Sequence, residues 1–404
     1  MKLARKAPVF SFCTLFTTFV VALFSTHVAA AGAASDCAGD GKQDATACLQ
    51  AHLDRGGVQL LPGKTYLTTK SLSVGAHAEL DGNNATITTP SPVRAIIIAG
   101  DGASVHDLTL VGSDPTADGI FIAKGASNVA VRNNQVTGNF RQAILLGASG
   151  QHDLIIEGNK VFPGKGQRIA FGVIANPSRL ARDGGTPPRN IAIRNNVLTD
   201  LTGDAIEINS PPPVSVSNLQ IEGNTLSAPL HQTSTAGFCI GMAGVVGARI
   251  VGNKIANCKW QGIHIEHNST NILIQDNSID KTIGPSGIQM NGRRNSAGIL
   301  LLNSSNIKIY RNRIIDTYNS GIELAWNPKG TNSNITIAGN VINRAGDYGI
   351  HVGGPAGRDM GVIVGAADGF GANQITGSKL SPFAGCNSSI RGSDVRLANC
   401  AQQK

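Results

Sequence analysis

The chain of 404 residues lacks most of what would place it in a common functional class. Beyond its first two dozen residues it has no apolar run long enough to cross a bilayer, so no later segment predicts a membrane-spanning helix. Its 34 basic residues are dispersed and no nucleic-acid motif accompanies them, which argues against nucleic acid as a partner. There is no tight cluster of carboxylates and no repeated calcium-loop pattern. Aromatic residues are scarce, with 2 Trp and 4 Tyr. The few that occur therefore stand out when they gather in one region.

The 7 cysteines are sparse but patterned. Cys13 lies in an N-terminal segment that reads as a secretory signal, residues 1–30. Lys2, Arg5 and Lys6 form its basic end, Val9 to Phe24 its apolar core, and Val28-Ala29-Ala30 its small-residue cleavage site. Removing it lowers the formal net charge from +8 to about +5, a mild excess that favours acidic partners. The other cysteines form three sequence-close pairs, Cys37/Cys48, Cys239/Cys258 and Cys386/Cys400. An even set in an exported chain suggests disulfides, with the middle pair favoured because it falls on adjacent repeats. The expected location is secreted or periplasmic, as a monomer with no membrane contact once the signal is removed.

What the chain does have is a repeat. A short alternating apolar strand, a turn closing on Asn, and a further apolar residue recur eight times, as in Val129–Val136, Ile191–Leu198 and Ile335–Ile342. The repeated asparagines are residues 134, 159, 196, 224, 253, 277, 312 and 340, spaced by 25, 37, 28, 29, 24, 35 and 28. Such periods define a stacked solenoid. The period-2 apolar pattern fits strands with one buried face. Asn accepts left-handed backbone, so it is expected to turn the chain, and its amide to bond with the Asn above and below. Ala45, Cys48, Leu49 and Leu53 share one face of a short helix, expected to cover the open end of the solenoid.

The opening Gly39-Asp-Gly with Asp44, Leu49 and Gln50, the Gly56-Gly to Leu61-Pro-Gly-Lys-Thr-Tyr66 strand and the Asn-turn coils resemble right-handed parallel β-helix proteins of the pectate lyase superfamily. The fold class that follows is all-β, a single-stranded right-handed parallel β-helix. Residues 31–57 would form an N-terminal cap, 58–364 the coils and 365–404 a C-terminal cap, in one domain. The superfamily includes pectate and alginate lyases, uronan epimerases, polygalacturonase-like hydrolases, phage depolymerases and proteins without known catalysis. The resemblance is specific for fold, not reaction. It implies no obligatory cofactor, with calcium the ion such sites often use.

Each coil has a second strand with a Gly-Ile-x-Ile pattern whose middle residue points outward. Down the stack these are Phe121, Leu145, Ile174, Glu207, Gly241, His264, Gln289, Glu323 and His351. The last four are all polar, and the resemblance puts a substrate groove along this stack. Trp260, Trp326, Tyr318 and Tyr348 border it and could stack on sugar rings. The two longest spacings mark insertions at 176–189, with Arg179, Arg182 and Arg189, and at 291–297, with Arg293 and Arg294. Lys259 and Lys329 flank the same strands. Arginine forks suit carboxylates.

A lyase or C5-epimerase must neutralise a uronate carboxylate, remove the C5 proton and protonate oxygen or carbon. His264 as base, with His351, Glu323 and Glu207 as further catalytic candidates, Arg293 and Arg294 as clamps, and Gln289 and Lys259 as substrate contacts, would supply this. The expected function is action on an acidic polysaccharide as a lyase or epimerase. Hydrolysis is an alternative, although Glu207 and Glu323 stand four strands or roughly 19 Å apart, and the closer pair is Glu323 with Asp347. The polygalacturonase motifs are missing; Asp204-Ala-Ile-Glu-Ile only echoes the first. A noncatalytic glycan-binding or structural role is the third reading.

Overall fold

A computed structural model of the chain describes residues 32–147, 149–175, 185–210, 215–228, 237–284, 289–290, 293–326, 330–353, 359–385 and 390–392. The signal segment, Arg179, Arg182, Lys329 and the Cys386/Cys400 pair lie outside the described residues. Short parallel strands stack coil upon coil. One sheet has 14 strands; a second has 24, joined from two ladders by the long strand Gln135–Leu146. The inward positions, such as Ile206/Ile208, Ile263/Ile265 and Ile322/Leu324, merge into one continuous core along the stack. Branched aliphatics suit this position because they pack well on a pleated surface.

The repeated asparagines form the spine, and each is buried. Asn224 shows the pattern. Its Nδ2 donates to the Ile193 carbonyl at 2.9 Å and to Asn253 Oδ1 at 3.0 Å, while its own Oδ1 accepts from the backbone N–H and the Nδ2 of Asn196. An amide has two donors and two acceptor lone pairs, so nothing is left unsatisfied. The ladder runs one rung further than the repeat suggested, through Asn340 to Asn373.

The left-handed turn sits one residue earlier than expected. Asn133, Gly158, Asn195, Gly223, Gly252, Asp276, Arg311 and Gly339 have φ between 51° and 68°, whereas the ladder asparagines do not have positive φ. The turn is made by the preceding, exposed or half-buried residue, which frees the following Asn to point inward.

The helix Thr46–Leu53 packs against the strands Gly57–Gln59 and Leu72–Val74, burying Leu49 and Leu53 at the first coils. Cys37–Cys48 ties this helix down, and Cys239–Cys258 links neighbouring coils, as expected. Strand pairing does not stop at residues 58 and 364. Gly32–Ala33 pairs with Gly57–Gln59, and Ser381–Gly385 with Tyr348–Val352. The edges of the 58–364 segment carry unpaired N–H and C=O groups, which these flanking strands satisfy.

Replacing Asn224 by Ala removes four hydrogen bonds and strands their buried partners, for a loss on the order of 4 kcal/mol. Denaturant unfolding of Asn224→Ala should show it; a loss below 1 kcal/mol would contradict the role assigned to the ladder.

Candidate functional site

The strand register fixes which residues share the outer face of the second sheet. Ile174 pairs with Glu207, Glu207 with Gly241, and Gly241 with His264. His264 then pairs with Leu300, Leu300 with Glu323, and Glu323 with His351. Glu207, His264, Glu323 and His351 therefore occupy one row.

Gln289 does not. It lies in a two-stranded antiparallel hairpin opposite Arg294, with Met290 opposite Arg293. The stack position belongs to Leu300, on the strand Ile299–Leu302. Gly287-Ile288 and Gly298-Ile299 fit the pattern equally well in sequence. Gly298 occupies the coil position, where a Cβ would come within 2.7 Å of the Gly321 carbonyl and 2.5 Å of Ile314. The insertion thus precedes the stacking strand rather than following it.

The row faces away from the core, and beyond the half-buried Glu207 its polar members are shielded from solvent: His264 is 1% exposed and Glu323 3%. Gly241 makes this possible. Its missing side chain leaves room for Phe238, whose ring a Cβ would meet at 2.9 Å. Phe238 lies 4.5 Å from the His264 ring and meets Trp260 edge-on at 5.4 Å. His264 is roofed, and Trp260 serves as part of that roof rather than as an exposed platform. Neither His264 ring nitrogen makes a well-directed hydrogen bond, although Nε2 stands 3.3 Å from Glu266 Oε2.

Two polar groups result, divided by the apolar patch of Ala297, Leu300, Leu302 and Ala325. In the first, burial raises Asp204 above the carboxylate range and the Glu207 charge adds to it, against hydrogen bonds from Gly237 and Phe238 N–H. Burial raises Glu207 too, and the Glu266 charge adds to it. Burial works against Glu266, but the neighbouring His264 and His267 rings outweigh it and hold that carboxyl well below its ordinary value.

In the second group Ser320 Oγ donates to Glu323 Oε2 at 2.7 Å, and Glu323 Oε1 stands 2.7 Å from His351 Nδ1. Tyr348 stacks on the His351 ring at 4.9 Å. A carboxylate on Nδ1 fixes the ring orientation. Asp359, raised to about 6 by burial against Asn332 hydrogen bonds and the His351 charge, closes this end.

Of the remaining sequence candidates, Trp326 and Lys259 are half-buried, and Tyr318 is exposed, packed over Gly284. Arg293 and Arg294 are placed by backbone on the hairpin beside the stack. Asp347 accepts from Asn319 Nδ2 at 2.8 Å. Sequence reasoning missed Phe238, Ser320 and a basic end to the face. There Arg94 and Arg141 both reach the buried Asp118, at 3.4 and 3.0 Å, and Arg94 lies 3.6 Å over the Phe121 ring.

Among the described residues, two groups gather ligand atoms for a metal: Asp36/Cys37/Cys48/His52 and Asp81/His106/Asp107. The cysteines of the first are consumed by a disulfide, and the second belongs to the 14-stranded sheet. Neither is on the candidate face.

A family model described as right handed beta helix region matches residues 183–295 and 239–360. No curated protein sequence matches the chain. Similar solved structures include PfbA, a surface adhesin of Streptococcus pneumoniae, at 16% identity and TM-score 0.61, covering 91% of this chain and 93% of that one. The A-module of the Azotobacter vinelandii mannuronan C-5 epimerase AlgE6 matches at 15% identity and TM-score 0.60, covering 91% and 99%. The catalytic unit of a GH87 alpha-1,3-glucanase from Streptomyces thermodiastaticus matches at 15% and 0.59, covering 92% and 71%. The chain folds as a right-handed parallel β-helix.

Because Asp204 has a folded pKa raised above its ordinary 3.8, its contribution to stability is complete below that value and is lost as pH rises through the raised one. Asp204→Asn keeps an acceptor for the Phe238 N–H without the charge. Its melting temperature should fall less than that of the wild type as the pH rises from 4 towards neutrality; equal slopes would contradict the assignment.

Proposed function

We propose that this is an exported enzyme acting on an acidic polysaccharide, as a lyase or C5-epimerase, with its centre at Glu323 and His351. The supporting observation is the Ser320–Glu323–His351 chain of hydrogen bonds beneath Tyr348. Glu323 holds the imidazole by Nδ1, and Nε2 takes the C5 proton of a uronate. In elimination the bond to the O4 leaving group then breaks; in epimerisation a proton returns to the opposite face. A histidine suits this work because it titrates near neutral pH. This moves the base from the roofed His264 to His351. The uronate carboxylate adds negative charge beside Glu323, so its neutralisation falls to Arg293, Arg294 and Lys259, and Arg94 and Arg141 would draw the polymer along the face. Two disulfides suit an oxidising compartment, and the solved relatives with this fold include a surface adhesin and a mannuronan epimerase.

A second reading, glycoside hydrolysis, is favoured by Glu207 and Glu266. Their environments drive their protonation apart, as an acid and a base require. Their backbones stand two strands and two residues apart, or about 12 Å, from which side chains leaning towards each other approach the range for a carboxyl pair that activates water.

A panel of uronic-acid polysaccharides, followed by ultraviolet absorbance, reducing ends and C5 configuration, separates these readings. The expected result is an unsaturated product or inverted C5, reduced about 10²–10⁴-fold in His351→Ala. New reducing ends without absorbance, lost in Glu207→Gln, would replace the first reading with the second. Binding without any product would leave a glycan-binding protein and end both.

A further inference from the structure

The outer edge of the 14-stranded sheet carries a second row of turn residues, one per coil: Asn190, Asn218, Gly247, Asn271, Asn306 and Asn334. All have left-handed backbone, with φ between 53° and 75°. The residues before them pair in unbroken register. At two of the three Asn–Asn steps exposed amides bond from coil to coil: Asn218 Nδ2 donates to Asn190 Oδ1 at 2.8 Å, and Asn334 Nδ2 to Asn306 Oδ1 at 2.6 Å, whereas at the third Asn306 Nδ2 donates to Thr270 Oγ1 at 3.2 Å. Gly247 breaks the row, leaving Asn218 Oδ1 with no amide from the next coil.

A groove of about 690 Å³ lies across this break. One wall is the amide row. The other is Arg249, Leu273 and Lys308, which pair with one another across successive strands. Both cations are 55% exposed. Their carboxylate partners sit behind that wall: Glu222 aligns with Val251, two residues beyond Arg249, and Asp368 is held by the hydroxyl of Tyr310, two residues beyond Lys308. Exposed ion pairs of this kind are worth little and exchange readily for an incoming anion.

We propose that this groove is a second polysaccharide-binding site, which takes an acidic glycan strand laid along the solenoid axis. Five coils line it, so it extends roughly 19 Å at about 4.8 Å per strand, and the two cations are about 10 Å apart. The amides offer donors and acceptors to hydroxyl groups at every coil but that of Gly247, and Leu273 offers an apolar surface between the cations. Among the described residues no aromatic ring lines the groove, so they offer no stacking platform of the kind that single-stranded nucleic acid requires. The site is on a different sheet from His351 and does not depend on the reaction proposed there.

Gly247→Asn tests this directly, because the neighbouring coils already hold Asn in the same backbone conformation. The variant should fold normally, extend the amide row and fill the break. Affinity electrophoresis in alginate and in polygalacturonate, at low and raised salt, is the readout. Wild type should be retarded, less so at raised salt. Gly247→Asn and the double variant Arg249→Gln/Lys308→Gln should each lose tenfold or more in affinity, with unchanged melting temperatures. The proposal is overturned by no retardation of wild type, by full retardation of the double variant, by equal retardation in a neutral glucan, or by competition from single-stranded DNA at lower concentration. If Gly247→Asn does not fold, the double variant decides. Cleavage of short uronate oligosaccharides, wherever found, should be the same in all variants, which separates failure here from failure at His351.

Discussion

Every other feature of the molecule depends on the buried amide ladder. A parallel stack has no local turn to set its register, because each strand pairs with one some 21 to 37 residues away. The inward Asn supplies the missing specification. With its four hydrogen-bonding positions filled by the coils before and after, a slip of one residue would strand all of them in an apolar interior. Insertions are tolerated only between these nodes. The outward residues of the neighbouring sheet are therefore held in line over the whole length of the stack, although the chain connecting them varies by a third.

On that fixed frame, chemistry is set by single choices of side-chain size. Gly241 is the clearest case. One absent Cβ admits Phe238, and Phe238 turns the adjoining His264 from a solvated residue into a roofed one. Leu300 does the reverse two strands from His351: by filling its position with aliphatic bulk it keeps the Glu207/His264/Glu266 group apart from the Glu323/His351 pair. Charge interactions inside each group are strengthened by burial, and the apolar bridge limits coupling between them. Two histidines in one row thus have different surroundings: one beside a glutamate without a well-directed bond, the other clamped by a glutamate that is itself held by Ser320.

The fold was legible because its signal is local and repeated. Strand alternation, the turn and the Asn recur within eight residues, so eight copies reinforce one another. The ninth rung, Asn373, escaped notice because no alternating strand immediately precedes it; its partner strand Met360–Val364 ends nine residues earlier. The site was legible in composition and only partly in geometry. Glu207, His264, Glu323 and His351 could be aligned by counting. The competition between Gly287-Ile288 and Gly298-Ile299 could not be settled, since the deciding contact is the approach of Gly298 to Gly321 on the next coil. The roof over His264 and the Ser320 bond to Glu323 likewise arise between residues that no local pattern relates to one another.

The two insertions gain meaning from the same register. One leaves the stack after Ala175, at the C-terminal end of the strand that holds Ile174; the other returns to it before Ile299, at the N-terminal end of the strand that holds Leu300. They join opposite edges of one face, four strand steps apart, or roughly 19 Å. Glu207, Gly241 and His264 lie between those two coils, and Glu323 and His351 just beyond the second. A polymer following the face must pass both junctions, one of which carries the Arg293–Arg294 hairpin. Rigid strands hold Glu207, His264, Glu323 and His351 in one row, while the segments free to vary in length join the stack at the edges of that face. This division lets the loops change in length and composition while the register of the histidines stays untouched.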